Sequence, residues 1–182
     1  MNLDQLIKGC IKQNRQAQEQ LYQVYKNVLF AQSLKYCQNR DEAEDNLHDA
    51  FIEIFTNIKN YKGKGSFEGW MKRITINKAI NRYKKSYFLT PIIEDHQQEE
   101  IVTDKEIDLP LDVILSFIQD LPNQYRLVFN LYELDDYSHQ EIASLLGISE
   151  STSKSNLHRA KHLLKEKIKS KSTFYNQTKN GK

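Results

Sequence analysis

The chain has 182 residues, 39% of them hydrophobic, which is enough for one large or two small cores. Three Pro and six Gly are too few for the turns of an all-β protein, and no run of about 18 apolar residues is present to span a membrane. The net charge of +2 conceals segregation: +4 over residues 1–40, −6 over 41–58, +8 over 59–86, −7 over 87–112, −4 over 113–149 and +7 over 150–182.

The chain begins Met1-Asn2-Leu3-Asp4-Gln5, without the basic and apolar regions of a signal peptide, so a cytoplasmic protein is expected. Leu3, Leu6, Ile7, Cys10 and Ile11 mark a short amphipathic helix. Ala17, Leu21, Val24, Val28 and Leu29 mark a longer one reaching about Cys37. Cys10 and Cys37 both sit on apolar stripes and read as reduced packing residues, not as a disulfide or metal framework.

Asp41 reads as the cap of a third helix, with Ala43, Leu47, Ala50, Phe51, Ile54, Phe55 and Ile58 at a 3.6-residue period. Its other side carries Asp41, Glu42, Glu44, Asp45, His48, Asp49 and Glu53, with no Lys or Arg. Three readings are open for that face: a solvated surface, a metal site, or a docking site for a basic protein. Asp45 and His48 have carboxylate-x-x-His spacing, but a di-metal bundle needs a second such motif and two more carboxylates, and none is present. No metal or other cofactor is expected.

Residues 59–66 read as a flexible basic loop containing Tyr61, flanked by Asn60 and Lys62. A helix follows from Phe67 to about Lys85, and its sidedness changes midway. Phe67, Trp70, Met71 and Ile74 share one face, which further on carries Asn77, Lys78, Asn81, Arg82 and Lys85; Ile76, Ile80 and Tyr83 lie opposite. Asn, Lys and Arg at that spacing suit a nucleic-acid backbone and base edges, and interleaved aromatics suit unpaired bases. Phe67 and Trp70 themselves read as core.

Periodicity fails from Tyr87 to Pro110, where acids dominate, so 87–110 is expected to be an extended linker between two domains. Leu111, Ile114, Leu115, Ile118 and Leu121 open the second domain, with Pro122 in a helix first turn and Tyr125, Val128, Phe129 and Tyr132 facing inward. Asp135-Asp136 then turns the chain. Ser138 with Glu141 makes a capping box, Ile142, Leu145 and Leu146 follow at helical spacing, and Gly147 stops the helix. Ile148 can plug the corner, and Ser149 caps the next helix.

In that helix Leu157, Ala160 and Leu164 share one side; Ser151, Ser155, His158, Arg159 and His162 share the other, flanked by Thr152 and Lys154. A short, hydrogen-bonding, basic face of this kind suits the major groove. Residues 170–182 are polar and expected to be disordered. HExxH, P-loop and GxSxG motifs are absent, so no enzyme and no small-molecule substrate is expected.

Four blocks, in order, resemble the extracytoplasmic-function sigma factors of bacterial RNA polymerase: residues 41–51 (DEAEDNLHDAF), 67–80 (FEGWMKRITINKAI), 121–129 (LPNQYRLVF) and 138–160. The resemblance spans about residues 11–168. It implies an all-α fold of two small helical domains, 1–86 and 111–169. The helix with Asp41, Asp45, His48, Asp49 and Phe51 looks like the surface that docks core RNA polymerase. The Lys59–Phe67 loop, with Asn60, Tyr61 and Lys62, looks like the element that captures a flipped base. The helix carrying Lys72, Arg73, Asn77, Lys78, Asn81, Arg82 and Lys85 looks like the −10 reader. Ser151, Thr152, Lys154, Ser155, Asn156, His158 and Arg159 look like the −35 contacts. Implied partners are core RNA polymerase, promoter DNA and commonly an anti-sigma factor. The sequence departs from the family at His48 (usually Gln), at Asn81 (often Asp), at Ser153 (usually apolar) and at Asn156 (commonly Arg). The alternative is a conventional helix-turn-helix regulator that acts without polymerase.

Overall fold

The computed structural model describes the backbone of residues 2–87 and 109–179, and side chains as far as residue 84 in the first stretch and residue 171 in the second. All regular structure among the described residues is helical. Two compact units divide between Arg82 and Tyr83. Residues 88–108, most of the expected linker, lie outside the described residues.

The first unit comprises α1 (Leu3–Ile11), α2 (Arg15–Tyr36), α3 (Arg40–Asn57), a 3₁₀ turn (Ile58–Asn60) and α4 (Phe67–Tyr87) as far as Arg82. Asparagine starts three of these elements. Asn2 forms a capping box with Gln5, Asn14 accepts from the Ala17 amide, and Asn39 accepts from the Glu42 amide. Asn39, not Asp41, therefore caps α3; Asp41 sits in the first turn, where its charge meets the positive end of the helix dipole.

Leu6, Cys10, Leu21, Leu29, Leu47, Phe51, Ile54, Ile58, Phe67 and Met71 form one core. Both cysteines are free and buried, and burial pushes the Cys10 thiol up from its ordinary value. Gly9 lets α1 approach α2: a Cβ there would come within 2.7 Å of the Ala17 Cβ. Val24, expected inside, is exposed, and the buried stripe of α2 runs through Ala17, Leu21, Leu29, Gln32, Ser33 and Tyr36 instead.

A polar joint crosses this core. Asn46 Nδ2 donates to Ser33 Oγ at 3.0 Å and to the Thr75 carbonyl at 3.2 Å. Ser33 Oγ donates to the Leu29 carbonyl and Thr75 Oγ1 to the Met71 carbonyl, each at 3.0 Å. Asn46 thereby ties α2, α3 and α4 together, with directions that apolar contact alone lacks.

The second unit comprises α5 (Leu111–Gln119), α6 (Asn123–Phe129), a π turn (Asn130–Leu134), α7 (His139–Leu146) and α8 (Glu150–Lys179). Ile118, Leu121, Ala160 and Leu164 are buried together against Ile114, Phe117, Tyr125 and Phe129. Leu111 and Leu115 face outward, because α5 packs through its other side. Pro122 precedes α6 at the cap position, one residue earlier than expected. Tyr132 is partly exposed and stacks on the His139 ring at 4.4 Å.

Arg126 is buried. Its Nη1 donates to the carbonyls of Gln119 (2.9 Å) and Leu121 (3.2 Å), and its Nη2 to Asn123 Oδ1 (2.7 Å). A cation thus satisfies carbonyls at the C-terminal end of α5 and fixes the α5–α6 corner. The expected disordered tail is helical as far as Lys179: neither Gly nor Pro interrupts α8 before Gly181.

Candidate nucleic-acid and partner interfaces

The helix-turn-helix is built as its capping residues dictate. Ser138 Oγ accepts from the Glu141 amide while Glu141 Oε2 accepts from the Ser138 amide at 2.8 Å. Gly147 takes φ +71°, and the amides of Gly147 and Ile148 return to the Ala143 carbonyl. Ser149 Oγ then accepts from the Thr152 amide at 3.0 Å and starts α8.

On α8, Ser151, Lys154 and Ser155 are exposed, and Thr152, His158 and Arg159 are half-buried. Asn156 is a correction. It was expected to contact DNA, but it is only 2% exposed and its Nδ2 has no hydrogen-bond partner among the described residues. Its position, one residue before Leu157 and four before Ala160, turns it toward the core. Arg159 Nη1 reaches Tyr125 Oη at 3.5 Å.

Ser153, the departure on the inner face, is fully buried and pairs with His139 Nδ1 at 2.9 Å, joining α7 to α8. Burial and then the Lys154 charge hold His139 below its ordinary value, with Glu150 opposing. Sequence reasoning missed this pair because its members lie 14 residues apart.

In the first unit Tyr61 is not a free base-stacking ring. It packs on Phe67 and Trp70 at 5.0 and 5.6 Å, and its hydroxyl donates to the Gly65 carbonyl at 2.8 Å. The loop is shaped by this clasp and by left-handed Gly63 and Gly65, leaving Asn60, Lys62 and Lys64 exposed. Phe67 is core, as expected; Trp70 is half-buried and stacks on it at 5.5 Å.

On α4, Arg73 and Asn81 are exposed, and Lys72, Asn77, Lys78 and Arg82 are half-buried. Lys72 pairs with Glu68 at 2.7 Å, Lys78 with Glu53 at 2.9 Å, and Arg82 with both Asp45 (3.3 Å) and Asp49 (3.1 Å). The side chain of Lys85 lies outside the described residues. The acidic face of α3 therefore has one cation of its own helix, Arg40, paired with Glu44 at 2.9 Å, and receives two more from α4.

Asp41, Asp45, His48 and Asp49 are exposed on α3 as expected. Phe51 is a second correction. It is buried, with its ring 4.7 Å from Tyr22 and 5.8 Å from Phe55, so it supports the surface from below. An apolar residue not singled out from the sequence lies on the exposed face: Ile52 is 66% exposed, three residues beyond Asp49 and four beyond His48. Its apolar character within an acidic run was the available signal.

Two family profiles match, sigma-70 region 2 over residues 21–87 and sigma-70 region 4 over residues 111–164. The chain is 28% identical to the extracytoplasmic-function (ECF) RNA polymerase sigma factor SigW of Bacillus subtilis, over 92% of this chain and 99% of that relative. It is also 28% identical to the ECF RNA polymerase sigma-E factor of Escherichia coli K12, over 70% of this chain and 74% of that one. With both profiles in order along two helical units, the chain belongs to the sigma-70 family and is an RNA polymerase sigma factor of the ECF group. The fold is also that of the sigma factor RpoE solved in complex with the anti-sigma factor NepR from Bartonella quintana, with a TM-score of 0.53 and 19% identity over 83% of this chain and 96% of that one. A regulator acting without polymerase would leave the region 2 match unexplained.

Proposed function

We propose that the α3 face of Asp41, Asp45, His48, Asp49 and Ile52 docks a basic surface of core RNA polymerase. In the same reading α4 and the 59–66 loop engage the −10 region, and the N-terminal half of α8 reads the −35 element. The domain roles follow: residues 1–86 dock and open, 87–110 link, and 111–169 anchor. The protein works in the cytoplasm, where its polymerase is, and an anti-sigma factor is its expected regulator.

The observation that carries this reading is the composition of the α3 face. Exposed carboxylates surround an exposed isoleucine, and Phe51 and Leu47 hold the helix from behind. Charge steers and selects a partner, whereas a central apolar anchor supplies affinity. Opening needs no covalent step: unpaired bases are bound better than paired ones, and that difference shifts the equilibrium. Holding both units on one polymerase makes two weak DNA contacts act together.

The test is charge reversal. Asp45→Lys with Asp49→Lys is expected to weaken core binding at least tenfold while the isolated chain's gel-shift on duplex DNA does not weaken. Undiminished core affinity contradicts the docking assignment.

A further inference from the structure

The ion pairs between α3 and α4 form an antiparallel ladder. Moving forward on α3 through Asp45, Asp49 and Glu53 meets Arg82, Arg82 again and then Lys78, moving backward on α4. The partners lie 33 and 37 residues apart in sequence for the Arg82 pairs, so the ladder is a property of the fold, not of either helix. Burial works against the Arg82 charge, but its hydrogen bonds to Asp49 and Asp45 and their charges outweigh that, and the guanidinium titrates above its ordinary value.

We infer that this ladder is an electrostatic lock: in the free chain the α3 carboxylates hold Arg82 and Lys78 away from nucleic acid, and a cationic partner that covers those carboxylates releases them. The inference rests on the docking reading above and adds an order of events to it. A phosphate approaching Arg82 in the free protein meets Asp45 and Asp49 at once, so the attraction is largely cancelled. When cations of the polymerase neutralise both carboxylates, the same guanidinium becomes available for a phosphate or a base edge. Linkage requires the reverse as well: DNA that takes Arg82 frees Asp45 and Asp49 and tightens the hold on polymerase by the same factor. Asp45 and Asp49 are largely exposed and Arg82 is about one-third exposed, so solvent screens both pairs, which makes the lock easy to open and sets its size at about three- to tenfold.

The experiment uses the full chain with labelled oligo-dT, without and with core polymerase. Asp45→Asn with Asp49→Asn is expected to raise oligo-dT affinity in the absence of core by about three- to tenfold. The slope of log K against log salt should steepen by about 0.7, the signature of one added phosphate contact on a single strand. Arg82→Ala in that background must abolish the gain and the extra slope. Asp41→Asn with Glu42→Gln removes the same charge from α3 away from Arg82 and leaves Arg40 on Glu44, and should raise affinity less without changing the slope. Arg82→Ala alone is expected to raise core affinity about two- to fivefold, because it removes a competitor for the carboxylates. A gain that survives Arg82→Ala, no gain at all, or a loss of core affinity in Arg82→Ala each overturns the lock. A wild-type chain that does not bind core overturns the docking reading instead, so the two failures are separable.

Discussion

Truncating Ile52 to alanine isolates the apolar part of the docking surface. Ile52 is 66% exposed, so in the free protein about two-thirds of the residue faces water. Ile→Ala removes three carbon groups, worth ~2.4 kcal/mol at ~0.8 each if wholly transferred from water. Two-thirds of that is ~1.6 kcal/mol, or a ~15-fold weaker Kd for core polymerase. Folding stability should change by less than ~0.5 kcal/mol, since the removed atoms pack on little and alanine is the better helix former. Fluorescence titration of labelled core gives the affinity, and thermal melts give the stability. Val24→Ala is the control, an apolar residue 56% exposed on α2, outside the proposed surface, for which core affinity should not change. A loss below threefold for Ile52→Ala, or an equal loss for Val24→Ala, would refute the reasoning.

Asn46→Ala should destabilise the first unit by about 2–3 kcal/mol, because Ser33 and the Thr75 carbonyl lose their buried partner and a cavity remains; hydrogen exchange of α2–α4 measures it. His139 titrates below its ordinary value of 6.5, so the unfolded chain binds its proton more readily than the folded one. The stabilisation is therefore complete above pH 6.5 and is lost as pH falls below it; His139→Gln should flatten the acid-side dependence of exchange in α7 and α8. Arg159→Ala should reduce initiation at promoters with a −35 element about tenfold through lost backbone or base contact, and far less on a template lacking that element.

Much of this fold is legible in the sequence because it is local. The α3 stripe repeats at helical period over four turns, and the Ser138–Glu141 box and Gly147 act within a few residues of themselves. What was not legible is polar and non-local. Asn46 sits on the apolar stripe of α3 between Ala43 and Ala50, yet its partners are 13 and 29 residues away. Ser153 and Asn156 are buried by packing that no hydrophobicity pattern records. The basic face of α4 and the acidic face of α3 are each legible as charged. Their contact through Arg82 and Lys78 depends on how the helices cross, which neither stretch encodes alone. Phe51 fits both the apolar stripe and the family's docking pattern; the fold leaves it only the first, and the adjacent Ile52 carries the exposed position.

Run-off transcription with purified core polymerase tests the central claim most directly. Adding this chain should produce transcripts from discrete start sites on a fragment library, each preceded by shared −35 and −10 sequences, and Asp45→Lys with Asp49→Lys should abolish them. Transcripts that are the same with and without the chain would contradict the account.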